Sequence, residues 1–373
     1  MLFTPGPLAL PAEVREQMLV DLGSRSATIR GITLAVRDSL VRLIGAQVSH
    51  SAILIQGSGT FAVEGALATF VSPSDKVLVI VNGVYGERIR DILSRRRLQH
   101  RTLTCPPTES PDVHKVSEIL ADDPAITHLC FVHCETTTGI LNPISELAAV
   151  ARMHGVLSIV DAMSAYGGVP IDAGSMGFDI LVASGNKCVE APPGIAFAVV
   201  RRTLLQRKAT HAESFCLDLY DQWRSFEADG EWRSTPPTHV LQALHAALRR
   251  LEVETVDRRA ARYSAIQMAI VAGMEALGFT TLIPASLRSP VCAVFTCPEW
   301  AGQEAERFTA FHRHLDEAGL HIYAKLHTPT RSFRIGCIGH IESHWVDLLL
   351  DRVASFQAAP ALVAGVGKGG PMS

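Results

Sequence analysis

Short, nearly unbroken apolar runs recur through the first two hundred residues, with amphipathic stretches between them. Residues 52–56, 76–81, 127–133, 156–160, 178–183 and 195–200 each read as a strand, rich in Val, Ile and Leu and bounded by turn-forming residues. Between them, residues 61–70, 86–97 and 144–154 carry apolar positions at helical spacing. A strand with no polar alternate face is buried on both sides. The pattern therefore predicts an α/β chain: a parallel or mostly parallel sheet sandwiched by helices.

Either side of that region the pattern differs. Thr4-Pro5-Gly6-Pro7 cannot be helical and reads as an extended arm. Residues 11–19 suggest a short helix opened by Pro11, residues 22–31 an irregular polar segment with Arg25 and Arg30, and residues 34–44 a helix. After Arg201, residues 218–233 hold three aromatics and a charge-rich turn, and Thr235-Pro236-Pro237 breaks the chain. Helices over 240–251, 258–277, 305–318 and 345–356, with strands over 291–296 and 333–335, suggest a smaller α+β domain. The expected division is an arm (1–15), a large domain (16–250), a small C-terminal domain (251–357) and a frayed Ala/Gly/Val-rich tail (358–373).

At 373 residues with 47% apolar content, the chain can bury a sizeable core. A net charge of −3 supplies no basic stripe for nucleic acid. Eight cysteines without CxxC pairs read as reduced core thiols of a cytoplasmic protein. No secretory pattern opens the chain and no apolar run approaches membrane-spanning length, so no membrane partner is expected.

Ligands of a parallel sheet bind beyond the carboxyl ends of its strands. Those ends carry Gly57-Ser58-Gly59-Thr60, Asn82-Gly83-Val84-Tyr85, His133-Cys134-Glu135-Thr136-Thr137, Asp161 and Ser184-Gly185-Asn186-Lys187. Lys187, between two apolar strands, is either a loop lysine with its head in water or an amine that burial pushes toward the neutral form Schiff-base chemistry needs. Asp161 can cap the next helix or hold a protonated ring nitrogen. Ser58, Gly59 and Thr60 open a helix where backbone amides favour an anion, though the loop lacks the lysine of a Walker motif and the third glycine of a dinucleotide fingerprint. Tyr85 can stack on a planar group or pack a rim. Arg334, in an apolar strand, is either a carboxylate or phosphonate clamp or a paired surface arginine. His133 beside Glu135 has no ligand-spaced partner, so no metal is expected. A Ser-His-Asp hydrolase would need a Gly-x-Ser-x-Gly elbow that the Ser58 loop lacks.

Taken in order, these motifs, with Leu217-Asp218-Leu219-Tyr220, Thr235-Pro236-Pro237-Thr238-His239 and Phe333-Arg334-Ile335-Gly336, resemble the class V, fold-type I pyridoxal-phosphate aminotransferases over nearly the whole chain. Within that family the likeness is to the branch using 2-aminoethylphosphonate and pyruvate. The resemblance implies a seven-stranded, mostly parallel sheet and pyridoxal 5'-phosphate as cofactor. It implies Lys187 as the Schiff-base residue and proton carrier, and Asp161 as the ring-nitrogen partner. Tyr85 would stack on the ring, Thr136 would touch its hydroxyl side, and Met163 and Asn186 would line it. Ser58, Gly59 and Thr60 would bind the phosphate, joined by Thr235 from the partner subunit of a homodimer with shared active sites. Arg334 would hold the acidic group of the amine donor and then of the keto acid.

The implied reaction gives phosphonoacetaldehyde and alanine. Alternatives are a serine or alanine aminotransferase working with glyoxylate or pyruvate, and an enzyme for a more anionic donor such as phosphonoalanine. The last arises because the branch carries an aromatic and several acids where this chain has Gly23-Ser24-Arg25-Ser26-Ala27-Thr28-Ile29-Arg30-Gly31. Arg25 is accordingly a candidate substrate-binding residue. A catalytically idle binding protein on the same fold would need neither Lys187 nor Asp161.

Overall fold

The apolar runs become the central strands of a seven-stranded sheet: β1 (His50–Gly57), β2 (Lys76–Val81), β3 (Gln99–Thr104), β4 (Ile126–Val132), β5 (Leu157–Asp161), β6 (Ile180–Ser184) and β7 (Gly194–Arg201). This computed structural model describes residues 1–206, 212, 214–298 and 304–358. The strand order is β1-β7-β6-β5-β4-β2-β3. Every pairing is parallel except that β7 runs antiparallel to both β1 and β6. Six strands therefore present their carboxyl ends on one side, and β6 turns directly into β7 there. Side chains such as Leu54, Leu78, Val79, Leu129, Leu181 and Phe197 are wholly buried, as strands covered on both faces require.

The helices packed on the sheet include Gly59–Phe70, Val84–Arg95 and Ile144–Met153, each following a strand end. Past Glu254 a second core forms around a three-stranded antiparallel sheet: β8 (Thr280–Thr281), β9 (Cys292–Thr296) and β10 (Ser332–Gly336). Helices Val256–Ala276, Glu304–Glu317 and Ser343–Ala358 accompany it, and Phe279, Phe295, Phe308 and Phe333 fill its centre. Phe3 belongs to this second core, because Leu2–Phe3 pairs in parallel with His321–Ile322.

Three expectations need correction. The segment 22–31 is irregular only to Ser26: the helix Ala27–Arg42 starts there, with Ser26 Oγ accepting from Ile29 N at 3.2 Å. Strand β3 lay outside the apolar pattern because it is a partly exposed edge strand of sequence Gln-His-Arg-Thr-Leu-Thr. The aromatic, charge-rich stretch after Asp218 is a helix, Leu219–Asp229, whose N-terminus Asp218 caps by accepting from Asp221 N at 3.0 Å. Apart from residue 358, the tail expected to fray lies outside the described residues. Among the described residues no helix is long and apolar enough to cross a membrane.

Candidate active site

Lys187 sits in the turn between β6 and β7. Gly185 N donates to Ile195 O at 3.1 Å, Ala191 N to Gly185 O at 2.9 Å and Glu190 N to Lys187 O at 2.8 Å, so the backbone bends tightly around the lysine. The side chain is half-buried, not enclosed between strands, because the turn stands past the strand ends. Burial alone therefore does not single it out; its neighbours do. The N-terminal arm packs along its stem: a Cβ added at Gly6 would lie 2.9 Å from Lys187 Cδ and 3.2 Å from Cε.

Asp161 ends β5, beside the lysine's strand, in register with Val182. Asp161 is 7% exposed. Burial pushes its pKa up to about 6, with the negative Glu135 adding to the rise, while the amide of Met163 and the positive Arg88 and Lys187 oppose it. Met163 N donates to Oδ1 at 2.9 Å, and among the described residues no donor reaches Oδ2. A buried carboxylate with one free oxygen fits a cationic N–H donor.

The third component is the start of the helix Gly59–Phe70. Ser58 occupies the N-cap but its hydroxyl makes no capping bond, leaving it and the first helical amides for a ligand. Gly57 has φ +122° and Gly59 lies so close to Met163 that a Cβ there would sit 2.3 Å from its sulfur. Arg88, on the facing helix Val84–Arg95, donates from Nη1 to Thr60 Oγ1 at 3.3 Å and stacks 4.9 Å over the Tyr85 ring. Helix amides, a hydroxyl and a guanidinium converge as a phosphate ester requires.

A cavity of about 180 Å³ unites these parts: Ser58, Gly59, Thr60, Tyr85, Asp161, Met163, Asn186 and Lys187 all line it, together with Arg88, Ser164 and Ser184. A larger cavity of about 290 Å³ lies between Phe61, Phe215 and Trp232, but it holds neither the lysine nor Asp161.

Four other candidates fall outside the cavity. Thr136 is fully buried, its hydroxyl has no hydrogen-bond partner among the described residues, and its carbonyl accepts from Arg334 Nη1 at 3.1 Å. Arg334 lies 3.9 Å over the Tyr323 ring. Thr235 is exposed, with its carbonyl accepting from Gln56 Nε2 at 2.6 Å. Arg25 is exposed and ion-paired to Glu231, which also pairs with Arg30 at 3.3 Å, so one carboxylate balances both arginines of that loop.

Two residues escaped the sequence reading. Arg88 carries no local signal except its position three residues after Tyr85. Glu135 was weighed only as a metal ligand; it is instead a buried acceptor for Tyr85 N (3.0 Å), Thr137 N (3.0 Å) and Thr137 Oγ1 (2.6 Å). It caps the helix that presents Tyr85 and Arg88, where a negative group is favoured. Burial pushes its own pKa up.

The description "Aminotransferase class-V" matches residues 17–324. A 2-aminoethylphosphonate–pyruvate transaminase of Vibrio cholerae is 40% identical over 353 residues, covering 94% of this chain and 95% of the relative. One from Pseudomonas aeruginosa is 40% identical over 92% of both chains. Among solved structures, an alanine–glyoxylate aminotransferase from Nostoc aligns with TM-score 0.87 at 24% identity, covering 95% of this chain and 94% of that one. A pyridoxamine–pyruvate aminotransferase from Mesorhizobium loti aligns at 0.84 and 24%, covering 95% and 91%. Those two likenesses establish the fold.

Proposed function

Because the chain belongs to the class V aminotransferases, which work with pyridoxal phosphate, we propose that it transfers the amino group of 2-aminoethylphosphonate to pyruvate, giving phosphonoacetaldehyde and alanine. The observation that carries the transaminase reading is one cavity flanked by Lys187, the buried Asp161 and the amide-rich start of the Gly59–Phe70 helix. The choice of substrates rests on the names of relatives 40% identical over nearly the full length.

The residues present fit the cofactor. Ser58, Gly59 and Thr60 would hold its phosphate, with Arg88 as counter-charge. Tyr85 would cover one ring face and Asn186 and Met163 would line the edges; Thr136, buried outside the cavity, is assigned to the ring's hydroxyl side on the family resemblance. The chemistry supplied by bound pyridoxal phosphate is an electron sink for the pair left when the donor's carbon loses a proton. Asp161 keeps the adjacent N–H positively charged by remaining ionised against it. Lys187 Nζ would take the proton from the donor carbon, as a base tethered within reach. Arg334 holds the phosphonate of the donor and then the carboxylate of the keto acid, so one fork serves both half-reactions.

Thr235, exposed and apart from the cavity of its own protomer, is assigned to a second protomer's phosphate across a homodimer. The exposed Arg25 is assigned to the mouth of the site. The proposed division of the chain remains 1–15, 16–250 and 251–357, and the proposed compartment is the cytoplasm.

The test is alanine formation from pyruvate with each of 2-aminoethylphosphonate, phosphonoalanine and serine. Turnover with 2-aminoethylphosphonate is expected, and borohydride should fix the cofactor to wild type but not to Lys187→Ala. Turnover of serine with no reaction of either phosphonate would overturn the substrate assignment. An unchanged ratio of the two phosphonates in Arg25→Ala would remove Arg25 from the site.

A further inference from the structure

Directly behind the lysine turn lies a cluster of buried charge that the reaction as described does not use. Glu190, three residues past Lys187, is 1% exposed, and its backbone takes φ +63°, a left-handed conformation unusual for a residue with a side chain. Its Oε1 accepts from Tyr263 Oη at 2.6 Å and Arg262 Nη2 at 3.0 Å. Arg259, fully buried, donates from Nη1 to the carbonyls of Cys188 (2.8 Å) and Val189 (3.4 Å), the two residues directly after the lysine. Both arginines also bind Glu254: Arg259 Nε at 2.8 Å and Arg262 Nε at 2.7 Å.

The location of these groups matters as much as their charge. Glu254 ends the helix Thr238–Glu254, and Arg259 and Arg262 begin the helix Val256–Ala276, so the cluster straddles the joint where the second core departs from the first. Arg262 Nη1 further donates to Gly339 O at 2.7 Å, three residues past β10, the strand that carries Arg334. Burying Arg259 and Glu190 beside the half-buried Arg262 and Glu254 is a poor route to stability, since an apolar cluster of equal volume would cost less desolvation. What such a cluster supplies is a defined geometry: the guanidinium of Arg259 can satisfy two turn carbonyls only in this backbone arrangement.

We propose that Arg259 and Glu190 are positioning residues that fix the turn presenting Lys187 to the cofactor, and that with Arg262 they tie this turn to the segment carrying Arg334. The inference rests on the reading of Lys187 as the Schiff-base lysine. Neither residue touches the cavity; both act through the backbone of residues 187–190.

The experiment compares wild type, Arg259→Lys and Glu190→Gln, with Arg258→Gln, an exposed change on the same helix, as control. Lysine keeps the charge but not the fork; glutamine keeps the shape and an acceptor for Tyr263 but not the charge. Cofactor-free proteins are mixed with pyridoxal phosphate, the rate of forming a borohydride-reducible adduct is measured per folded molecule, and amide exchange over residues 185–191 is followed by mass spectrometry. Expected are adduct rates about 10–100-fold slower in both variants, the scale of an ångström-level misplacement, with faster exchange confined to the turn. A wild-type rate and wild-type turn exchange per folded molecule, with only a lowered melting temperature, would show a structural role and overturn the proposal. If Arg259→Lys does not fold, Glu190→Gln decides. If wild type itself forms no adduct, the reading of Lys187 fails, and amide exchange alone then decides whether the clamp exists.

Discussion

Replacing Asp161 with asparagine should stabilise the cofactor-free protein while removing its activity. In the cofactor-free protein burial raises the carboxyl pKa from 3.8 to about 6. At about 1.36 kcal/mol per unit, ionising this group in the folded chain costs about 3 kcal/mol more than in the unfolded chain. The sign follows from a raised folded-state pKa: the group's stabilising contribution is full below pH 3.8 and lost as pH rises through 6. Asparagine is isosteric, accepts the Met163 amide bond in the same way, and never ionises. Its advantage should therefore be about 3 kcal/mol at pH 8 and about half that at pH 5. With an unfolding entropy of ~0.8 kcal/mol/K for a chain of this length, the melting temperature at pH 8 should rise by about 4 °C. Urea denaturation of both proteins, freed of cofactor, at pH 5 and pH 8 measures this directly. An Asp161→Asn protein no more stable than wild type at pH 8, or an advantage that grows on acidification, would refute the argument that the cavity holds a poorly solvated carboxylate awaiting a cation.

Two further outcomes follow from the geometry. Gly59→Ala places a methyl 2.3 Å from Met163 Sδ and drives that side chain into the cavity. Cofactor affinity should fall about tenfold, as overpacking of ~1–3 kcal/mol implies, and Met163→Ala in the same chain should restore most of it in a pyridoxal-phosphate titration. Arg334→Gln should raise KM for amine and keto acid alike, each by about 10–100-fold for one lost charged contact, while leaving borohydride fixation at Lys187 intact. A change in only one KM would contradict a shared clamp.

The parts of the site legible in the sequence share a physical signature. Lys187, Asp161, Tyr85 and the Ser58–Thr60 loop all follow apolar strands, and the direction of a parallel sheet gathers such ends at one edge. Arg88 was illegible because its partner Thr60 is 28 residues away, across two helix starts. Glu135 stood at a strand end but was weighed only as a metal ligand, since its acceptor role depends on Gly83 passing so close that a Cβ there would lie 2.3 Å from Glu135 Cδ. The edge strand β3 escaped because an exposed edge needs no apolar run, and the start of the helix at Ala27 because its cap, Ser26, precedes the first regular apolar spacing. The burial expected at Lys187 was overstated for a simple reason. Strand patterns report on strands, and the lysine stands just beyond one.

The arm along the lysine stem also gives the site an order of assembly. Phe3 packs in the core built by β9 and β10, His321 N donates to Met1 O at 2.9 Å, and a Cβ on Gly336 would overlap the Thr4 backbone at 2.3 Å. The arm that braces Lys187 from this side is thus anchored in the second core, which apart from the arm's own residues is built from segments past Glu254. The sheet and the phosphate cradle can form while the chain is still being made. The brace that Gly6 supplies along the Lys187 stem cannot. A chain shortened just before β9 would keep the sheet and the cradle and still leave the Lys187 stem unbraced on the arm's side.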